Sequence, residues 1–317
     1  MSKAMKPDLG VGVGLRVPHY AAILRERPSV DFFEVISENF MVDGGKPLYH
    51  LDRVLEHYPV VQHGVSLGIA GPDEPDRAYL TRLKELTKRT KTPWVSDHFC
   101  WSGAGGAHLH DLLPIPYTPD AVRRTVERAR MIQDFLELPF ALENTSSYLT
   151  YRSSTLSEWE FISEIAERAD IGLLFDVNNV YVSAYNHGFD AETFIRSVPH
   201  SRIWQIHLAG HTNLGKYIID THRGSVIDAV LELYRQTIVL TGGVSTLIEW
   251  DDEIPELSVL LAEAERARRV RDEALALREG RALPPAVTSV PAPVAASDAA
   301  VWRQGGPRES AAGEAIR

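Results

Sequence analysis

Residues 118–144 read TPDAVRRTVERARMIQDFLELPFALEN. Thr118 is a side-chain acceptor suited to a helix N-cap, and Pro119 suits the first helical position, where its missing N–H costs nothing. A helical pattern follows over Pro119–Leu138. It gives way to Pro139 and a short apolar run that stops at Glu143-Asn144. A proline at a strand entrance loses no ladder bond that matters. The stretch is therefore one helix-to-strand unit, with a carboxylate and an amide at the strand's exit.

The same unit recurs. Eight β-rich segments are present: Leu9–Leu15, Asp31–Ile36, Pro59–Val65, Pro93–His98, Pro139–Asn144, Ile171–Asn178, Arg202–Ala209 and Ser245–Asp251. Most are apolar runs rather than alternations, as parallel strands buried on both faces require. Helical patterns lie between them at Pro47–His57, Asp76–Thr90, Pro119–Leu138, Ser157–Ala169, Ala191–Ser197, Ser225–Leu240 and Glu256–Arg278. Ser157 and Glu160 have the spacing of a capping box. Strands alternating with helices in this number predict an α/β fold, a single-domain (β/α)₈ TIM barrel. The competing fold is a doubly wound open sheet, but Gly10, Gly12 and Gly14 lie within the first strand and form no phosphate loop after it.

The 317 residues carry a net charge of −10, with 44% hydrophobic and 24% charged residues. That is ordinary globular usage, and it argues against a dedicated nucleic-acid binder. One cysteine, Cys100, excludes an intrachain disulfide and a thiolate zinc site; the residue reads as a buried structural thiol. No apolar h-region opens the chain and no stretch approaches ~20 apolar residues, so a cytoplasmic protein that meets no membrane is expected. The domain boundary is placed at 280. Residues 281–317 are rich in Ala and Pro and read as a disordered tail.

The chemistry lies at the strand exits. Strand three ends at His63, strand four at Asp97-His98, strand five at Glu143-Asn144 and strand six at Asp176. Strand seven carries His207 and, past Gly210, His211; Asp220 and His222 follow; strand eight holds Glu249. In a barrel these exits open onto one face. Any one of these residues has an ordinary structural explanation, such as a hydrogen-bonded His or a helix cap. Together they aim several imidazoles and carboxylates at one small volume, where unpaired carboxylates would repel one another. A cluster of cations removes the conflict, and imidazole with carboxylate suits Fe, Zn and Mn. Glu143 and Asp176 are the candidates for a catalytic part. Glu38, Asn39, Asp97, Asn144, Asn179 and His187 are candidates for supporting or substrate contacts. His108 and His110 sit in a Gly-rich loop after strand four, at the expected mouth. His19, His50, His57 and His200 read as ordinary surface or helix residues.

Gln62-His63-Gly64-Val65-Ser66-Leu67, Ser96-Asp97-His98, Leu142-Glu143-Asn144, Asp176-Val177-Asn178-Asn179, Gln205 to His211, Asp220-Thr221-His222 and Leu247 to Asp251 resemble the multinuclear non-haem iron-dependent oxidative enzymes. That family was formerly an uncharacterised conserved bacterial one, and it includes the methanobactin-biosynthesis iron enzyme. The resemblance runs from about Leu9 to about Arg269. It implies a TIM barrel with about two or three irons of mixed Fe(II)/Fe(III) state. It implies O₂-dependent oxidation of a ribosomally made precursor peptide at cysteine, and a small leader-binding partner protein.

The ligand order also resembles endonuclease IV. That pattern implies one ion at His63, His98 and Glu143. It implies a second at Glu143, Asp176, His207 and Glu249, and a third at Asp220 and His222. Asn179 stands where that pattern has a His, and His207 and His211 remain alternatives. A zinc phosphodiesterase or sugar isomerase on the same barrel is the rival reading, and a non-catalytic metal-binding protein is the third.

Overall fold

The computed structural model describes residues 6–105 and 107–281. The proposed tail at 282–317 and the first five residues lie outside the described residues, as do the side chains of His108 and His110.

Eight parallel strands close a barrel: β1 (Val11–Gly14), β2 (Phe33–Ile36), β3 (Val60–His63), β4 (Val95–His98), β5 (Phe140–Glu143), β6 (Gly172–Asp176), β7 (Ile203–Ala209) and β8 (Ser245–Glu249). Each pairs with its sequence neighbours, and β8 closes onto β1 with Gly12 opposite Leu247. Among the described residues nine α-helices surround it: α1 (Tyr20–Glu26), α2 (Lys46–Leu55), α3 (Arg77–Thr90), α4 (Pro119–Leu136), α5 (Glu158–Ala169), α6 (Val177–His187), α7 (Ala191–Ser197), α8 (Asp228–Thr241) and α9 (Leu257–Arg278). The caps form as their residue types dictate. Thr118 Oγ1 accepts from Ala121 N at 3.2 Å, and Ser157 with Glu160 makes a reciprocal capping box.

The observed strands are shorter than the apolar runs, because the runs continue into the turns that leave the barrel. Two helices were not legible in the sequence. Helix α1 is one of them. The other is α6, which begins where the sixth strand was expected to continue: Asp176 ends β6 and its Oδ1 accepts from Asn179 N at 2.6 Å. That cap turns Val177-Asn178-Asn179, residues of modest helix propensity, into a first helical turn. The Gly-rich segment after β4 is also no plain loop. Trp101–Ala104 pairs antiparallel with Ala107–Leu113, forming a hairpin. A second, smaller hairpin joins Thr212–Asn213 to Ile218–Ile219.

Two apolar bodies hold the barrel. The larger packs the outward strand faces against the helices and includes Phe33, Val35, Val95, Phe140 and Phe175. The smaller consists of Phe32, Val61, Trp94 and Leu247. Alternation along a strand puts Phe32 on the same face as Glu34, Val61 with His63, Trp94 with Ser96 and His98, and Leu247 with Glu249. The barrel interior is therefore apolar at the strand entrances and ionisable at the exits. Gly12 makes room for this plug, since a Cβ there would lie 2.7 Å from the Phe32 ring. Burying side chains of this size stabilises by roughly 1.5–3 kcal/mol each, which offsets the cost of the polar layer above.

Candidate metal centre

At the exits of β3, β4 and β5, His63 Nε2 lies 3.1 Å and His98 Nε2 3.3 Å from Glu143 Oε2. The opposite ring nitrogens are tied back. His98 Nδ1 lies 3.1 Å from the carbonyl of Gly64, which can only accept. His63 Nδ1 lies 2.9 Å from Ser96 Oγ, whose own hydroxyl donates to the Gln62 carbonyl. In the neutral rings both Nδ1 atoms thus carry the proton, and both Nε2 lone pairs point at the carboxylate.

Glu143, Asp176, His207 and Glu249 form a second group, all of them buried. His207 Nδ1 lies 3.0 Å from Glu249 Oε2 and 3.5 Å from Glu143 Oε1, so the two oxygens of Glu143 face different groups. On its far side, His207 Nε2 meets Glu34 Oε2 at 3.1 Å. Glu34 carries no motif in the sequence. It lies mid-strand between Phe33 and Val35, and only its charge inside an apolar run marked it.

His222 brings a third group together with Glu249 and Asp251. It is carried by a loop whose backbone takes φ 47° at His222 itself, a conformation that costs a non-glycine residue ~1 kcal/mol. Its Nδ1 is 3.2 Å from Glu249 Oε2, and its Nε2 is 3.0 Å from Asp220 Oδ1. The loop passes so close to Gly210 that any Cβ there would collide with the Arg223 carbonyl. Asp251 was quoted only as the last residue of the strand-eight motif, and Arg16 carries no motif in the sequence. Arg16, buried after β1, donates from Nε to Asp251 Oδ1 at 2.9 Å, and its guanidinium lies 3.6 Å from Glu249 Oε1.

His211, a candidate ligand by sequence, is not brought into any of these groups. It lies two residues beyond the end of β7, where its Nδ1 meets Asn178 Oδ1 at 2.7 Å and its ring stacks on Tyr181. Asp220 touches His222 but joins no larger group, and its Oδ1 accepts from Asn178 Nδ2 at 2.8 Å.

The candidate supporting residues divide by what they hold. Asn144 exchanges two hydrogen bonds with the Asp176 backbone, 2.9 and 3.0 Å, and its carbonyl accepts from Asn179 Nδ2. Asp97 accepts from the His98 N–H at 2.7 Å. Glu38 clasps the loop after β3 by accepting from Val65 N, Ser66 N and Tyr79 OH. His187 ends α6 and fastens to Ser147, while Asn39 is exposed. His19 is no surface residue: it is buried, with Nε2 2.8 Å from the Pro255 carbonyl. Cys100 is buried, and burial first, then the charges of Asp97 and Glu143, hold its thiol well above its usual pKa.

Burial by itself would strip these groups of charge, yet their neighbours oppose it. Burial pulls His63 down, but the charge of Glu143 prevails and pushes it up to about 9. Burial likewise lowers His207 and His222, and the carboxylates around them raise both well above the imidazole range. Glu143 and Glu249 are held far below the carboxylate range because the surrounding imidazoles outweigh burial. Asp176 goes the other way, raised by burial and by the charges of Glu143 and Asp220 against the pull of His222.

Four buried atoms in these groups lie close to one another's imidazoles and carboxylates yet make no hydrogen bond of proper direction: Glu143 Oε2, Asp176 Oδ2, His207 Nδ1 and His222 Nε2. An orphaned buried polar atom costs ~1–3 kcal/mol, and four converging in one place fit cations held by imidazole and carboxylate. Above them opens a cavity of about 540 Å³. His63, His98, His222 and Glu249 form its floor, and Val65, Ser66, Leu109, Leu112 and Thr221 contribute to its walls.

The family model for the RiPP precursor modification enzymes MbnB/TglH/ChrH matches residues 10–272. The chain belongs to this family. A UPF0276 protein of Anaeromyxobacter sp. is 51% identical, the match covering 87% of this chain and 98% of the relative. A UPF0276 protein of Caulobacter vibrioides is 49% identical over 83% of this chain and 95% of its own. Among solved structures, a D-tagatose 3-epimerase-like protein has a TM-score of 0.56 at 14% identity, covering 86% of this chain and 98% of its own. A xylose isomerase domain protein from Planctomyces limnophilus has a TM-score of 0.55 at 12% identity, covering 85% and 98%. At such identities these two share the barrel with this member of the MbnB/TglH/ChrH family, and the likeness extends no further. Among the described residues no helix is long and apolar enough to cross a membrane.

Proposed function

We propose that the chain is an iron- and O₂-dependent enzyme that oxidises a ribosomally made precursor peptide at cysteine, served by a small leader-binding partner protein. Membership of a RiPP precursor modification family makes the substrate a peptide. The observation that carries the metal reading is the set of four orphaned atoms beneath an open cavity.

In this reading His63, His98 and Glu143 hold one ion; Glu143, Asp176, His207 and Glu249 hold a second; and His222, with Asp220, Glu249 or Asp251, holds a third. Iron held by such a nitrogen and oxygen set would supply one-electron chemistry toward O₂. The chain's own residues do the rest. Glu143 joins two groups through its two oxygens. Ser96 and the Gly64 carbonyl fix the His63 and His98 rings. Asn144 and the α6 cap hold Asp176 at its exit from the barrel. Val65, Leu109 and Leu112 supply the apolar part of a mixed cavity wall, against which the peptide's reacting residue would pack.

Metal analysis of protein purified without oxygen, with Mössbauer spectra of an iron-57 sample, tests the reading. A coupled, partly ferrous cluster of about two or three irons, and oxygen uptake with a Cys-bearing precursor peptide, are expected. A full load of zinc that persists when iron is supplied would instead favour a hydrolase or isomerase on the same barrel.

A further inference from the structure

We propose that Glu34 decides which nitrogen of His207 carries the ring proton, and so whether Nδ1 is open to the metal centre, and that it does so against a competing proton donor, Gln205. The proposal rests on the reading of His207 as a ligand.

Three buried side chains stand behind His207. Trp94 Nε1 donates to Gln205 Oε1 at 3.0 Å. An indole N–H has no acceptor capacity, so this bond fixes the Gln205 amide with its oxygen toward Trp94 and its NH₂ away. That NH₂ lies 2.5 Å from Glu34 Oε2 and 3.0 Å from His207 Nε2. Left alone with His207, it would donate to Nε2 and drive the ring proton onto Nδ1. Nδ1 would then face Glu249 and Glu143 as an N–H, closed to a cation. Glu34 reverses this. Its Oε2 stands 3.1 Å from His207 Nε2, where a lone pair would be repelled and an N–H welcomed. The proton stays on Nε2, and the Nδ1 lone pair turns to the cluster. The Gln205 NH₂ is absorbed by the same carboxylate oxygen.

Glu34 is thus a positioning residue, acting through His207 in the way that carboxylates behind metal-bound imidazoles do. It sits one residue pair above the apolar plug, at the boundary between the dry half of the barrel and its ligand-bearing half. It is 2% exposed and is not among the residues that line the cavity.

Zinc, being diamagnetic, is the probe. Full-length protein labelled with ¹⁵N-histidine is loaded with zinc and read by NMR, and zinc affinity is measured by chelator competition. In the wild type, His207 should show Nδ1 bound to metal and Nε2 protonated. Glu34→Gln keeps the shape and should weaken one class of zinc site by ~10–100-fold while leaving the His63–His98 rings bound. Glu34→Leu should place the His207 proton on Nδ1 and lose one equivalent of zinc. Glu34→Leu combined with Gln205→Leu removes the competing donor and should regain at least part of that affinity, a rescue that a merely structural role would not produce.

A Glu34→Gln variant binding zinc as the wild type does, or a double variant no better than Glu34→Leu, overturns the role of Glu34 alone. Wild-type His207 resonances that do not respond to zinc overturn the ligand reading itself, and the proposal with it.

Discussion

The Nε2 atoms of His63 and His98 face each other at 3.3 Å, with the opposite nitrogen of each ring tied to an oxygen behind it. In the neutral rings two lone pairs meet there beside the Glu143 carboxylate, and only a proton or a cation relieves the contact. Protons and metal therefore compete for one place.

Removal of Glu143 should cost more than removal of either His. Its oxygens face two groups, at 3.1 Å from His63 and 3.5 Å from His207. Glu143→Gln is expected to lose ions from both and to lower peptide oxidation by more than ~100-fold, beyond the usual effect of outer-shell changes. His98→Ala should lose one ion only. Metal content by mass spectrometry distinguishes them, and a fully loaded, active Glu143→Gln enzyme would remove the bridging role.

The metal-free protein should lose stability as pH rises. His63 is raised from 6.5 to about 9, so its contribution is complete below pH 6.5 and is lost as the pH climbs through about 9. Asp176, also raised, acts in the same direction, since the folded state holds its proton to higher pH than the unfolded chain does. Thermal melts in chelator between pH 6 and 9.5 check this. Metal-loaded protein, whose ligands have already given up their protons, should show a flatter profile.

Gly210→Ala tests how the His222 loop is delivered. The added methyl collides with the Arg223 carbonyl, a backbone atom that yields only if the loop moves. The ion of the third group should be lost or loosened while the group at His63, His98 and Glu143 keeps its own. Two unchanged binding classes together with an unchanged third would show that the close approach is not needed.

Thr118→Ala removes the N-cap of α4, far from the centre. A loss of about 1 kcal/mol in urea unfolding, or ~2 °C in Tm, is expected. Metal content should not change.

The eight barrel strands, seven of the nine helices among the described residues and the identity of most clustered side chains were legible in the sequence. Apolar runs too short for helices must be buried strands, and intervening helices force those strands parallel. Parallel strands of a barrel bring all their exits to one face, so His63, His98, Glu143, Asp176 and Glu249 meet whatever the local detail. The tertiary structure decided what depends on register and on side-chain direction. His207 points inward because it shares a strand face with Gln205, while His211 lies beyond the strand and turns to Asn178. Glu34 and Arg16 were hidden for different reasons: Glu34 lies within β2 rather than at its end, and Arg16, just past the exit of β1, is a cation and no metal ligand. Their roles arise across the barrel, from partners 173 residues away in the chain for Glu34 and 235 for Arg16, and no local pattern encodes such a meeting.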